Sequence, residues 1–211
     1  MKKQKILSAV LLVGVLFWGN IFKIQASDLI TTLTQSHTIE VKQSWFSFNK
    51  SYKIYVEDQK VGKVEGLYLN LFGDRLVLSD LEGVSYGYEQ QIKRWNVRLN
   101  RLAQVYDNQD KTVGFIGEEV IQDLFRWGKT FHFYDNHHQE IAISKEKIFK
   151  FFKEYNIEDL DGNTLYKIKK KFSLFETKYE ISIYNTSVVP VEQVIFLTCI
   201  LDAITLEEED E

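Results

Sequence analysis

Few residues in this chain have types and spacing that could do chemistry. Gly83-Val-Ser-Tyr-Gly87 has the form G-x-S-x-G, in which a sharp strand-to-helix turn presents a serine as the nucleophile of a hydrolase. Ser85 would be that nucleophile, so a serine hydrolase is one reading of the chain. Val84, Tyr86 and Tyr88 nevertheless alternate as in a strand, with no helical pattern after them, which makes Ser85 an exposed strand residue. His137-His138 beside Asp135 suggests a metal centre, with His37 and His132 as the other histidines. Adjacent side chains in a turn diverge, so the better reading is a solvated turn. Asp159-Leu-Asp-Gly-Asn163 opens like a calcium loop, but Tyr166, Lys167 and Ile168 occupy the stretch where the bidentate Glu belongs. That leaves a hairpin turn. Cys199, the single cysteine, lies among Leu197, Ile200 and Leu201, where a small thiol packs. These readings assign no catalytic residue, cofactor or metal.

Lys167-Ile-Lys-Lys-Lys-Phe172 is the one dense basic run. In a strand, Lys167, Lys169 and Lys171 share a face opposite Ile168 and Lys170, a stripe suited to anionic headgroups or an anionic polymer. The plainer alternative is a solvated face that also blunts a sheet edge.

The elements that would position these residues are mainly β. Runs such as Tyr52-Lys-Ile-Tyr-Val56 and Tyr179-Glu-Ile-Ser-Ile-Tyr184 are rich in β-branched and aromatic residues. Five turns separate them, within 57–62, 79–83, 106–110, 134–137 and 158–162, each with the Asp, Asn or Gly that tight turns favour. Five hairpins in series predict a meandering antiparallel sheet. Residues 48–79 also align without a gap on 151–182, matching Tyr52 to Tyr155, Ile54 to Ile157 and Asp58 to Asp161, and are read as two similar halves of one barrel. Gly117 to Trp127 spaces Val120, Ile121, Leu124 and Phe125 at helical intervals and predicts a short surface helix. Ser144 to Lys153 fits a helical face or a strand, and the internal match favours strand.

From Pro190 to Leu206 the chain is apolar nearly all round a helix, Thr198, Asp202 and Thr205 forming its only polar stripe. Such a helix must be buried, and the economical way to bury it is inside the curved sheet, with Ile200 in the core. Glu192 and Asp202 interrupt it too closely for a membrane span. The closing Glu207-Glu-Glu-Asp-Glu211 reads as a solvated acidic tail.

At the other end, Lys2, Lys3 and Lys5 precede the apolar run Ile6 to Trp18, and Ile24-Gln-Ala-Ser27 resembles a cleavage junction. Residues 1–26 therefore read as a signal peptide or an uncleaved anchor that places the domain outside the membrane, secreted or tethered. Residues 27–42 read as a linker or first strand region, followed by a single barrel domain over 43–206. With the basic residues before Ser27 unmatched by any acid, the exported part is more acidic than the formal net charge of −4, which argues against nucleic acid as partner. An exported domain without a disulfide must rely on its core.

Tyr52-Lys-Ile-Tyr-Val-Glu-Asp58, Arg75-Leu-Val-Leu-Ser-Asp-Leu-Glu-Gly83, Tyr155-Asn-Ile-Glu-Asp-Leu-Asp-Gly162, Tyr179 to Tyr184 and the terminal helix together resemble the tubby C-terminal-like group, which includes the LURP-one-related proteins and the phospholipid scramblases. The resemblance implies a twelve-stranded antiparallel barrel closed around a C-terminal hydrophobic helix. It further implies, from some relatives, binding of phosphoinositides or movement of lipids. The resulting expectation is a non-catalytic exported module that binds lipid, an envelope component or protein. A structural part of a membrane assembly is a further alternative.

Overall fold

Two helices and twelve strands make up the residues that the computed structural model describes, 29–44, 51–66, 75–91, 99–119, 129–148, 152–172 and 176–210. Helix α1 (Leu29–Gln35) leads into β1 (Thr38–Ser44), β2 (Ser51–Val56), β3 (Gln59–Gly66), β4 (Arg75–Asp80), β5 (Ser85–Gln91) and β6 (Leu99–Asp107). There follow β7 (Thr112–Glu119), β8 (Thr130–Asp135), β9 (Glu140–Ile148), β10 (Lys153–Asp159), β11 (Thr164–Phe172), β12 (Glu176–Ile183) and helix α2 (Val191–Asp210). Each strand pairs antiparallel with its neighbours in sequence, and β1 pairs with β12, so the meander closes into a barrel. An even number of alternating strands is what lets the first and last meet antiparallel.

Every described hairpin turn lies at one end of this barrel, with α1 and the start of α2. Four of the turns are built identically. Asp80, Asp107, Asp135 and Asp159 each end a strand, and each Oδ1 accepts the backbone amides two and four residues on at 2.8–3.0 Å. The residue three after the Asp has positive φ in all four: Gly83, Asp110, His138 and Gly162. The β2–β3 turn is tighter, with Glu57 and Asp58 both left-handed, as a two-residue hairpin loop requires. The expected turns are thus present, and the Asp in four of them is explained by its carboxylate, which replaces the backbone acceptors a tight turn lacks.

Helix α2 fills the lumen. Val191, Gln193 through Cys199, Leu201 and Asp202 are all buried, which covers the whole circumference. Around them stand inward residues of every wall segment, among them Ile39, Tyr52, Leu78, Val105, Phe131 and Ile181. Three side-chain bonds fix the helix and the segment leading into it: Tyr166 Oη donates to Val189 O (2.7 Å), Gln193 Nε2 to Tyr134 O (3.3 Å) and Tyr52 Oη to Cys199 O (3.4 Å). Gly114 leaves room for Gln193, because a Cβ there would overlap the Gln193 amide and the Tyr134 carbonyl. Helix α1 closes the turn end with Leu29 and Leu33, and Leu29 sits against Gly62, where a Cβ would lie 3.1 Å from it.

Several expectations need correction. Residues 117–119 belong to β7, Gly117 facing Leu102 across the ladder, because three inter-strand pairings outweigh an isolated helical spacing; 120–128 lie outside the described residues. The terminal helix continues to Asp210, so the backbone of Glu207 to Asp210 is helical, as suits strong helix formers with no Gly or Pro to stop them. Ile200 is only half-buried, whereas Phe196 and Cys199 are fully enclosed. Helix α1 was not anticipated. The matched segments 48–79 and 151–182 fall on β2–β4 and β10–β12, which are not half a turn of the barrel apart, so the match reflects shared inward Tyr and Ile positions. Residues 144–148 are strand, as the internal match favoured. The proposed signal or anchor segment lies outside the described residues.

Asp107→Ala should lower stability by about 1 kcal/mol, comparable to removing a helix-capping acceptor. Asp107→Asn, which keeps Oδ1, should lose less than half of that in urea unfolding.

Candidate functional site

The outer wall carries a feature assembled from five strands. Lys171 lies opposite Lys178, Lys178 opposite Lys42, Lys42 opposite Lys53, and Lys53 opposite Lys63. Five lysines therefore form one row across β11, β12, β1, β2 and β3. Like charges directly opposite on a sheet are destabilising, so the row is not something the fold requires. Carboxylates on the same wall moderate it. Glu180 takes Lys171, Glu40 takes Lys178 and Lys42, and Glu65 takes Lys63 at 2.8 Å. Partial burial works against ionisation of Glu40, but hydrogen bonds from Lys178 and Lys42 outweigh it and hold its carboxyl below the ordinary range. Among the described residues Lys53 and Lys169 make no ion pair, and Lys53 faces solvent.

The expected stripe is placed as the alternation required. Lys167, Lys169 and Lys171 point outward, while Ile168 and Lys170 are buried inward. Lys167 pairs with Glu154 at 3.4 Å. Lys171 is therefore a member of both the stripe along β11 and the row around the barrel. The remaining lysines of the row were missed because nothing in the sequence marks single lysines on separate strands as neighbours; only the ladder register does.

The inner face holds a second charged set, near the end of the barrel opposite the turns. Five successive strand segments contribute side chains of alternating sign: Arg101, Glu118, Lys129, Glu146 and Lys153. Arg101 Nε is 3.6 Å and Lys129 Nζ 3.8 Å from Glu118, and Lys153 Nζ is 3.2 Å from Glu146. The Lys129 amide and the Tyr155 hydroxyl also donate to Glu146, at 2.8 and 2.9 Å. On α2, Asp202 accepts from Tyr52 (3.3 Å) and Tyr179 (3.4 Å) and stands 3.8 Å from the buried Lys170 ammonium. Burial, reinforced by the neighbouring charge of Asp202, drives the Tyr52 and Tyr179 hydroxyls well above their ordinary range. They act as fixed donors. Cys199 is driven up chiefly by burial too, so it is an inert packing thiol.

Glu89 faces inward between Leu76 and Val105, and burial alone pushes its carboxyl up to about 8. It is a neutral acid in the core at pH 7.

The other candidates are placed as follows. Ser85 begins β5, exposed and opposite Ser79, and the strand continues to Gln91, so the residues after it open no helix. His137 and His138 lie in the β8–β9 turn, where Asp135 is committed to backbone amides and the His138 ring packs on Phe115. His132 bonds Glu140 on the outer wall at 2.9 Å. Asp159 and Asn163 make a hairpin turn. Among the described residues no group of three or more His, Cys, Asp or Glu is arranged to hold a metal.

Fold and site together define a closed antiparallel β-barrel whose lumen is occupied by its own helix. No protein-family model, curated protein or solved structure matches the chain.

Lys170→Met should cost about 3–5 kcal/mol by leaving Asp202 charged and enclosed. In urea unfolding, Lys170→Met/Asp202→Leu should recover at least half of that loss. Glu89 contributes in the opposite sense to an ion-paired carboxylate. The unfolded chain ionises this group from about pH 4.3, while the fold holds it neutral up to about 8. Its contribution therefore falls as pH rises through that window and levels off above it. Glu89→Gln should match wild type near pH 4.5 and be the more stable of the two at pH 8, in melting curves taken across the range.

Proposed function

We propose that this protein is a non-catalytic, exported module of tubby-like fold, held at the membrane by its N-terminal segment, that binds an anionic ligand of the cell envelope along the lysine row. The observation that carries the reading is the register-aligned Lys171, Lys178, Lys42, Lys53 and Lys63. The twelve-strand closure around α2 supports the tubby-like part, and the apolar run from Ile6 to Trp18 behind Lys2, Lys3 and Lys5 supports export.

Two further points narrow the ligand. Charged residues such as Lys53, Lys63 and Lys169 stand mid-strand on the outer wall, where a lipid-spanning barrel carries an apolar band. The wall itself is therefore built for water, while α2 fills the inside. The row also bends with five adjacent strands of a twelve-strand ring, about a third of the circumference. A flat bilayer touches such an arc only along a tangent; a flexible chain of phosphates or carboxylates can follow it. Lipid headgroups and envelope polymers share the anionic chemistry, and the geometry favours the polymer.

The two sources separate in one experiment. Inorganic polyphosphate, as the polymer probe, should bind the wild type with a salt-sensitive affinity that Lys53→Ala/Lys169→Ala weakens about tenfold, two outer-wall contacts of roughly 0.7 kcal/mol each. Flotation with phosphatidylglycerol vesicles of the chain from residue 27, which lacks the tether, should recover little protein. Recovery of that chain that Lys169→Glu/Lys171→Glu abolishes would assign the row to lipid, and polyphosphate binding untouched by Lys53→Ala/Lys169→Ala would remove the row from function.

A further inference from the structure

The four identical turns offer an internal comparison. The position after the turn Asp is Asn108 in the β6–β7 turn and Asn136 in the β8–β9 turn, both exposed. In the β4–β5 and β10–β11 turns the same position is Leu81, 57% exposed, and Leu160, 64% exposed. The backbone bonds are the same in all four, so the fold has no use for leucine there. The fourth position after the Asp is polar in three turns, Lys111, Gln139 and Asn163, and is Val84 in the β4–β5 turn, half exposed. Tyr184, 61% exposed, stands beside the β10–β11 turn, its amide bonded to Leu165 O. Large apolar side chains are thus displayed at one end of the barrel, on turns that six strands separate in a ring of twelve, at opposite sides of the end face.

The chain also arrives at this end. Helix α1 begins at Leu29 and packs into the barrel beside Gly62, only residues 19–28 separating it from the apolar run that ends at Trp18. Ten residues reach about 35 Å at most when fully extended.

We propose that the turn end of the barrel rests on the bilayer that holds the N-terminal segment, with Leu81 and Leu160 as two opposed feet in the headgroup region and Val84 and Tyr184 beside them. This deepens the tethered reading above and rests on it. Glu57, Asp58, Glu82, Asp110 and Asp161 share the same end, so anionic headgroups repel it; the tether and the apolar tips make the contact. The lysine row then stands on the side wall, clear of the lipid and open to a polymer.

Site-specific fluorescence tests the orientation in the full-length chain reconstituted into phosphatidylcholine vesicles. Cys199 is fully buried and stays unlabelled, so Leu81→Cys, Leu160→Cys and Lys171→Cys can each carry an environment-sensitive probe. A nitroxide-bearing lipid should quench the probes at 81 and 160 at least twofold more than the one at 171, which lies toward the opposite end. Leu81→Asn/Leu160→Asn, which takes the residues of the sister turns, should keep its melting temperature. In that background a probe at Tyr184→Cys should lose at least half of its lipid quenching. Equal or stronger quenching at 171 would invert the orientation and overturn the proposal. Unquenched tips on a chain that still sediments with vesicles would overturn it too, leaving the tether intact. Tips shielded from a water-soluble quencher but not reached by the lipid nitroxide would assign the face to protein contact, which also overturns it. A chain that no longer sediments would refute the tethered reading itself.

Discussion

Enclosure of one apolar helix by a closed wall is the constraint from which the rest of this molecule follows. A twelve-strand ring is too wide for its own side chains to fill, and smaller barrels already leave room for a ligand. Here α2 occupies that space, so the inward residues of each strand have a partner and the hydrophobic core is continuous from α1 to Leu201. Closure also removes both sheet edges, the part of an open meander most prone to pairing with other chains. Wall and helix are mutually necessary: the helix would not stay in water with its entire circumference apolar, and the wall would collapse without it.

A uniformly greasy helix has no reason to prefer one rotation over another. The polar contacts supply that reason. Gln193 reaches Tyr134 O through the gap left by Gly114, Tyr166 holds Val189 O, and Asp202 meets Lys170, Tyr52 and Tyr179. Such groups add little net stability, since desolvation offsets most of their attraction, but a helix turned or shifted by one residue would leave them unpaired and enclosed. The alternating charges from Arg101 to Lys153 do the same for strand register on the inner face, where a slip of one residue would send each to the outside.

Much of this architecture was legible because it is periodic. Alternation along β11 set Ile168 and Lys170 on the face opposite Lys167, Lys169 and Lys171, and the burial of both bears this out. The apolar circumference of α2 required enclosure, and Asp with Gly or Asn marked the turns. Helix α1 escaped notice because Leu29-Ile-Thr-Thr-Leu-Thr-Gln35 is short and rich in threonine, a poor helix former; packing of Leu29 and Leu33 into the barrel mouth overrides that propensity. The strand at 117–119 escaped for the converse reason, since its helical spacing was local and its strand partners lay far along the chain. Of the candidate site, only the part on one strand could be read, Lys167, Lys169 and Lys171. Lys42, Lys53, Lys63 and Lys178 are scattered singly, and only barrel closure brings β12 beside β1 and joins the two ends of the row.

Charge is arranged differently on the turns, the inner face and the outer wall, and the difference supports the binding surface proposed above. The chain is acidic overall, and four of its aspartates, in the turns at one end, are held by backbone amides and serve the fold. Asp159, whose carboxyl is held low by hydrogen bonds from Asn163 and the turn amides, shows that such an acid is stabilised locally and needs no external cation. The lysine row has no comparable structural explanation. Opposed lysines repel, their nearest carboxylates relieve that repulsion without any turn or cap depending on it, and among the described residues Lys53 makes no ion pair. A fold optimised only for stability would intersperse the signs within the row, as the inner face does from Arg101 to Lys153. That the same chain alternates its signs on the inside and sets like charges opposite one another on the outside, relieved there only by carboxylates to either side, is the main physical support for the binding proposed on the wall of β11, β12, β1, β2 and β3.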